Sequence, residues 1–144
     1  ANDFYFKLRS FENINLIYKD GALKSLYESI SHGRMIGLAS DQNARQGGLK
    51  INFFGEIASF PKGAGKFHHK TSCKLFIVFC ILRSDFKYHI YTKEITIDTK
   101  DKSEDEMIKD IVRIYADDLS LKIQQHPEQY FWFHKKWNKM IYKS

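Results

Sequence analysis

His89 and Glu94 are a histidine and a carboxylate with four residues between them. In such a pair the acid can orient the imidazole to take a proton from a hydroxyl. Residues 88–96 alternate as a strand does, and on a strand positions five apart face opposite ways. The pair is therefore rejected as a catalytic dyad. His32 and His134 have no acidic residue five positions on. His68 and His69 are adjacent, and adjacent helical positions do not share a face. They read as surface or groove histidines, and no metal or cofactor is expected. No Ser-His-Asp or Cys-His arrangement can be argued.

Three other groups could bind rather than react. Asp41 and Gln42 directly follow an apolar stretch that reads as a strand, and open α/β sheets gather ligands beyond their strand ends. The bland alternative is a solvated loop. Gly47-Gly48 and Pro61-Lys62-Gly63-Ala64-Gly65 could turn backbone N–H groups toward a phosphate. Neither matches a phosphate-loop or dinucleotide pattern. The third group, residues 130–137, alternates bulky aromatics with bases, among them Trp132, His134, Lys135, Lys136 and Trp137. Rings beside cations suit a membrane interface or stacking on single-stranded nucleic acid. They equally suit a buried terminal segment.

The elements that must position these residues follow from periodicity and punctuation. Leu23, Leu26, Tyr27 and Ile30 predict a helix over 22–31, with Gly33 just past its end. Residues 35–39 read as a short buried strand, 49–54 as a second one stopped by Gly55, and 61 to about 71 as a helix opened by Pro61-Lys62-Gly63, with the proline near its first turn. Residues 74–83 are almost continuously apolar, which predicts a strand buried on both faces. Ser103 and Glu106 have the spacing of a capping box. They open a helix over 103–125 with Ile108, Ile111, Val112, Tyr115 and Leu119 as its apolar stripe and Pro127 as its stop. This order predicts an α/β layered domain with a mixed, mostly parallel central sheet flanked by helices. Residues 35–39 and 74–83 are its expected interior strands.

Bulk properties narrow the partners. The chain has 144 residues and a net charge of +6, which favours anionic partners such as acidic lipid, nucleic acid or a phosphorylated substrate. Cys73 and Cys80 make no disulfide framework and read as buried, reduced thiols. The longest apolar run, 75–82, is far short of the roughly 20 residues a helical membrane span needs.

The stretch His126-Pro127-Glu128-Gln129-Tyr130-Phe131-Trp132-Phe133-His134-Lys135-Lys136-Trp137 closely resembles the terminal signature P-E-Q-(W/Y)-x-W-x-H-(R/K)-(R/K)-(W/F) of the bacterial lipid A late acyltransferases. A second block agrees. Gly33, Ile36, Asp41 and Gln42 fit G-x-x-(V/I)-x-x-x-x-D-Q, and Gly48 to Gly55 resembles the family's G-(V/I)-x-V-x-F-F-G. Residues 60–79 resemble the segment with a Gly-Ala step, a helix and a buried strand. Leu8-Arg9-Ser10 falls where the family carries an arginine.

The resemblance implies transfer of a fatty acyl chain from acyl carrier protein to a hydroxyl of a lipid A precursor, or of a related glycolipid or lysophospholipid. It also implies a place at the cytoplasmic face of the bacterial inner membrane, and lipid rather than nucleic acid as partner. Arg9 would meet an anionic part of the substrate. Asp41 and Gln42 would hold its polar groups, with Asp41 facing the cleft or pairing with Arg9. Trp132, His134, Lys135, Lys136 and Trp137 would contact membrane or substrate. In the family a catalytic H-x4-(D/E) lies upstream of the arginine block. The expectation is that residues 1–144 are the C-terminal part of one acyltransferase domain, without that motif or a membrane anchor, and inactive alone. His68-His69 stands where small residues are usual, and Phe79 replaces a frequent proline. The competing expectation is a non-catalytic basic, aromatic domain that binds acidic lipid or nucleic acid.

Overall fold

A computed structural model of the chain describes residues 2–9, 11–17 and 21–137. They fall into two compact units, residues 1–37 and 38–144.

The first unit holds α1 (Asn2–Arg9) and α2 (Ala22–Ser31). Lys7 and Arg9 occupy the last turn of α1, where the helix dipole favours cations. The expected helix over 22–31 is α2, and Gly33 ends it at φ 72°. The Gly33 N–H donates to the Ile30 carbonyl (2.9 Å) and the Arg34 N–H to that of Ser29 (3.0 Å). This is a Schellman closure, in which a left-handed residue lets the chain turn back over the last carbonyls. The Arg34 guanidinium then donates to the Asn13 carbonyl at 3.0 Å. The expected strand over 35–39 is not formed. These residues have no regular structure, and Met35 is 98% exposed. An apolar stretch becomes a strand only where a ladder partner satisfies its backbone, and among the described residues none pairs with it.

The second unit is built on one helix. It contains β1 (Leu49–Phe53), β2 (Glu56–Phe60), α3 (Gly63–Thr71), β3 (Leu75–Leu82), β4 (Tyr88–Ile95) and α4 (Glu104–Gln125). Two short 3-10 turns, Arg45–Gly47 and Pro127–Gln129, flank β1 and follow α4. The capping box predicted for α4 is present: the Ser103 hydroxyl accepts from the Glu106 N–H, and the Glu106 carboxylate accepts from the Ser103 N–H. Ile108, Val112, Ala116, Leu119 and Ile123 form one stripe of α4 and pack against Phe53, Ala58 and Phe60 of β1 and β2. Ile111, with Ile114 and Tyr115 beside it, forms a second stripe against Ile77 of β3 and Ile95 of β4. Burying each such aliphatic side chain stabilises the fold by about 1.5–3 kcal/mol.

Both sheets are two-stranded and antiparallel, so the α/β composition holds while the expected mostly parallel central sheet is not found among the described residues. β1 and β2 are joined by Phe54 (φ 57°) and Gly55 (φ 83°), both left-handed as a tight hairpin turn requires. The Asn52 side chain accepts from the Gly55 N–H at 3.0 Å. The run 74–83 is a strand, β3, but not an interior one. Ile77 and Ile81 point inward, whereas Phe76, Val78, Cys80 and Leu82 point outward and are exposed. Its near-continuous apolar character comes from one face on α4 and an equally apolar face turned away. Cys80, expected to be buried, therefore lies exposed, and Cys73 is half-buried.

α3 crosses α4 at Gly65. A Cβ there would lie 3.0 Å from both Cα and Cγ1 of Ile108. Gly65→Ala should push the helices apart and lower stability by about 1–3 kcal/mol. Gly63→Ala meets only Leu38 at 3.9 Å, so it should be neutral or gain a few tenths of a kcal/mol (about 0.5) from helix propensity. Urea denaturation of the two variants checks the contrast. Equal effects would show that the close approach does not govern α4 packing.

Candidate functional site

Pro127 stops α4, and the chain beyond it folds back across both hairpins. Gln129 does this first. Its side-chain oxygen accepts from the Leu82 N–H and its amide donates to the Leu82 carbonyl, both at 2.8 Å. One side chain thus replaces a missing strand neighbour at the end of β3. The Trp132 indole donates to the Pro127 carbonyl at 2.6 Å and its ring stacks on Trp137 at 6.3 Å. Trp137 pairs with Ala58 as an isolated bridge and donates from its indole to the Phe53 carbonyl at 3.0 Å. It also stacks on the Phe53 ring at 6.0 Å.

Between these anchors the terminal segment grips the loop that follows Ser40. The Asn43 N–H donates to His134 Nε2 at 2.7 Å, so that ring nitrogen is unprotonated in this arrangement. The Asn43 side-chain amide donates to the Lys135 carbonyl at 2.9 Å, and its oxygen accepts from the Arg45 N–H at 2.7 Å. The loop is held from below by β2: the Ser59 hydroxyl donates to the Arg45 carbonyl at 2.6 Å. Gly48 lets the loop lie this close, because a Cβ there would collide with the Ser59 hydroxyl, Ala44 and the Phe60 carbonyl.

Lys136 is the pivot. It is 0% exposed. Its ammonium donates to the carbonyls of Gln42 (3.1 Å) and Ser59 (3.3 Å) and lies 3.6 Å from the centre of the Phe60 ring. Burial pulls its pKa from the usual 10.5 down to about 8, and the Asp41 carboxylate opposes that fall. Burial likewise pushes the Tyr115 hydroxyl well above its ordinary range, with Asp41 and then Tyr130 adding to the shift. The Asp41 carboxylate therefore acts on both a protonated phenol and an ammonium at this turn.

The sequence candidates divide accordingly. Asp41 and Gln42 occupy a bend; Asp41 is half-buried and the Gln42 side chain is exposed. Arg9 is exposed in the last turn of α1, in the other unit, and Ser10 beside it lies outside the described residues. Of the terminal group, Lys136 and Trp137 turn inward, His134 is half-buried, and Trp132 and Lys135 are exposed. His89 stands opposite Ile81 and Glu94 opposite Phe76, so the register puts them on opposite faces of β4, as strand geometry predicts. Glu94 instead pairs with Lys74 at 3.3 Å. His68 meets the Cys73 carbonyl at 2.8 Å, and His69 lies 3.8 Å from Glu104. A groove of about 300 Å3 lies between β4 and the C-terminal half of α4, where Lys93 pairs with Asp118 at 2.9 Å and Lys122 sits over Tyr91. None of the candidate site residues Arg9, Asp41, Gln42, Trp132, His134, Lys135, Lys136 and Trp137 lines it. Asn43, Ser59 and Tyr115 were not singled out from the sequence as site residues; adjacency to Asp41-Gln42 is the one local signal, and only Asn43 has it.

The D-Q block and the H-K-K-W block, about 90 residues apart, are thus bonded to each other. The model of the bacterial lipid A biosynthesis acyltransferase family matches residues 2–139. The chain belongs to that family. No curated protein matches it. In this chain the two blocks form one structural unit, with the second supplying the floor of the first.

The buried ammonium has a measurable consequence. Between about pH 8 and 10.5 the folded chain has released the Lys136 proton while the unfolded chain retains it. Stability from this group therefore rises with pH across that window, by at most on the order of 3 kcal/mol, and is flat below it. Lys136→Met should lack that rise. Parallel denaturation curves for the two proteins across the window check it, and identical slopes would rule it out.

Proposed function

We propose that this chain supplies the acceptor-binding part of an acyl transfer, in which a fatty acyl chain passes from acyl carrier protein to a hydroxyl of a lipid A precursor or a closely related glycolipid or lysophospholipid. The observation that carries this reading is the family match across residues 2–139. In such a transfer the acceptor hydroxyl attacks the thioester carbonyl, a C–O bond forms, the C–S bond breaks, and a base takes the hydroxyl proton. His89 and Glu94 cannot act together as that base, because they stand on opposite faces of β4. The residues present serve acceptor binding instead. The exposed Arg9 guanidinium suits a phosphate through its planar fork. The half-buried Asp41 carboxylate and the exposed Gln42 amide suit sugar hydroxyls and amides.

The reading includes contact with an anionic membrane surface at the cytoplasmic face of the bacterial inner membrane. No helix among the described residues is long and apolar enough to cross a membrane. The exposed part of the terminal segment, Phe131, Trp132, Phe133 and Lys135, combines rings with a base as interfacial contacts do. Lys136 takes no part in that contact, being enclosed.

Incubation of the chain with acyl carrier protein thioester and a lipid A precursor, read by mass spectrometry, tests the chemistry. These 144 residues alone should give no acylated product. Turnover that disappears with His89→Ala would overturn the rejection of the His89–Glu94 pair. Arg9→Ala should weaken binding of the phosphorylated acceptor by roughly 10- to 100-fold, corresponding to about 1.5–3 kcal/mol for a charge-assisted contact. Arg9→Lys should restore part of it. Vesicles containing anionic lipid should bind the chain at low salt and release it as salt rises. Trp132→Ala should weaken that binding, and equal binding to neutral vesicles would count against the membrane contact.

A further inference from the structure

We propose that Lys136 is a positioning residue for the acceptor turn: its ammonium, seated beneath Asp41 and Gln42, sets where the Asp41 carboxylate and the Gln42 amide stand. This rests on the assignment of those two residues to the acceptor. Three observations point to it. The ammonium is fully enclosed, yet among the described residues no carboxylate forms an ion pair with it. Two of its three donors go to the Gln42 and Ser59 carbonyls, which ties the turn to β2. It also lies over the Phe60 ring, 3.6 Å from its centre.

Packing alone gives no reason for a charge here. A well-packed aliphatic side chain of similar volume is commonly as stable as a buried ion. What an aliphatic chain cannot do is hold the Gln42 carbonyl and draw the Asp41 carboxylate toward it. Without the ammonium, the loop keeps the bonds of Asn43 to His134 and Lys135, of the Ala44 N–H to the Ser59 carbonyl and of the Ser59 hydroxyl to the Arg45 carbonyl, but the Gln42 carbonyl loses its bond to Lys136. Charge-assisted hydrogen bonds are roughly twice as strong as neutral ones, so loss of the proton should loosen the turn without unfolding the chain.

The groups that face this site can be named from each element around it. The turn contributes Asp41, α4 contributes Tyr115, and the terminal segment contributes Tyr130, His134 and Lys135. β2 contributes Ser59 and Phe60, neither of which titrates. Tyr115 is held protonated by burial. Lys136 is the group here whose burial moves its proton loss to about pH 8.

Carbon-detected NMR of the labelled chain tests the proposal and requires no acceptor, so its outcome is independent of whether the acceptor assignment holds. The Gln42 and Ser59 carbonyl carbons and the Asp41 carboxyl carbon are followed from about pH 6.5 to about 9.5. In the native chain the three signals should move together with a midpoint near 8. Lys136→Arg should keep them at their low-pH positions throughout, because a guanidinium keeps its proton in this range. Lys136→Met should hold them at their high-pH positions throughout. Signals that do not move together in the native chain, that still move in Lys136→Arg, or that follow the His134 ring instead would overturn the proposal. If Lys136→Met does not fold, the native titration and the arginine variant decide the matter.

Discussion

The second unit depends on one helix having two apolar stripes. A two-stranded hairpin is marginal in water without a surface to cover its inner face. α4 provides that surface twice, through Ile108, Val112, Ala116, Leu119 and Ile123 for β1 and β2, and through Ile111 for β3 and β4. Gly65 lets α3 lie directly on the same helix. The capping box at Ser103 and Glu106 sets where this helix begins, and so the register of both stripes.

The terminal segment adds polar contacts to that apolar frame. Its bonds run from side chains to backbone: Gln129 to Leu82, Trp137 to Phe53, Lys136 to Gln42 and Ser59. Such contacts satisfy carbonyls and amides that irregular loops would otherwise leave unpaired. They also explain why aromatic and basic residues alternate here. The rings of Trp132 and Trp137 fill space against Phe53 and Tyr130, while the bases between them either reach under the loop or remain outside.

The helices of the second unit and α2 were legible because their signals are local. Gly33, Ser103 with Glu106, and Pro127 each act within one turn of the element they bound. Strand environment is not local. Residues 74–83 and 35–39 are both apolar, but composition does not say which acquires a partner or what covers its faces. β3 pairs with β4 and keeps an open outer face, while 35–39 pair with nothing described. β2 escaped notice because Glu56–Phe60 lacks alternation and is entered through Phe54-Gly55 rather than a polar turn. Asp41 and Gln42 could be picked from their motif. Their dependence on Lys136 could not, since the two positions are separated by 94 residues and nothing in either stretch names the other.

The segment that closes the second unit is made after every element it ties down. Gln129 completes the end of one hairpin and Trp137 completes the other, and both come after α4 in the chain. A growing polypeptide can form each hairpin early, from neighbours in sequence. It cannot tie down Leu82, Phe53 or the loop at Gln42 until residues 129–137 have emerged from the ribosome. Contacts of such long sequence separation form late and slowly. During synthesis the hairpins therefore wait with open ends, until residues 129–137 turn a loose set of elements into a closed one.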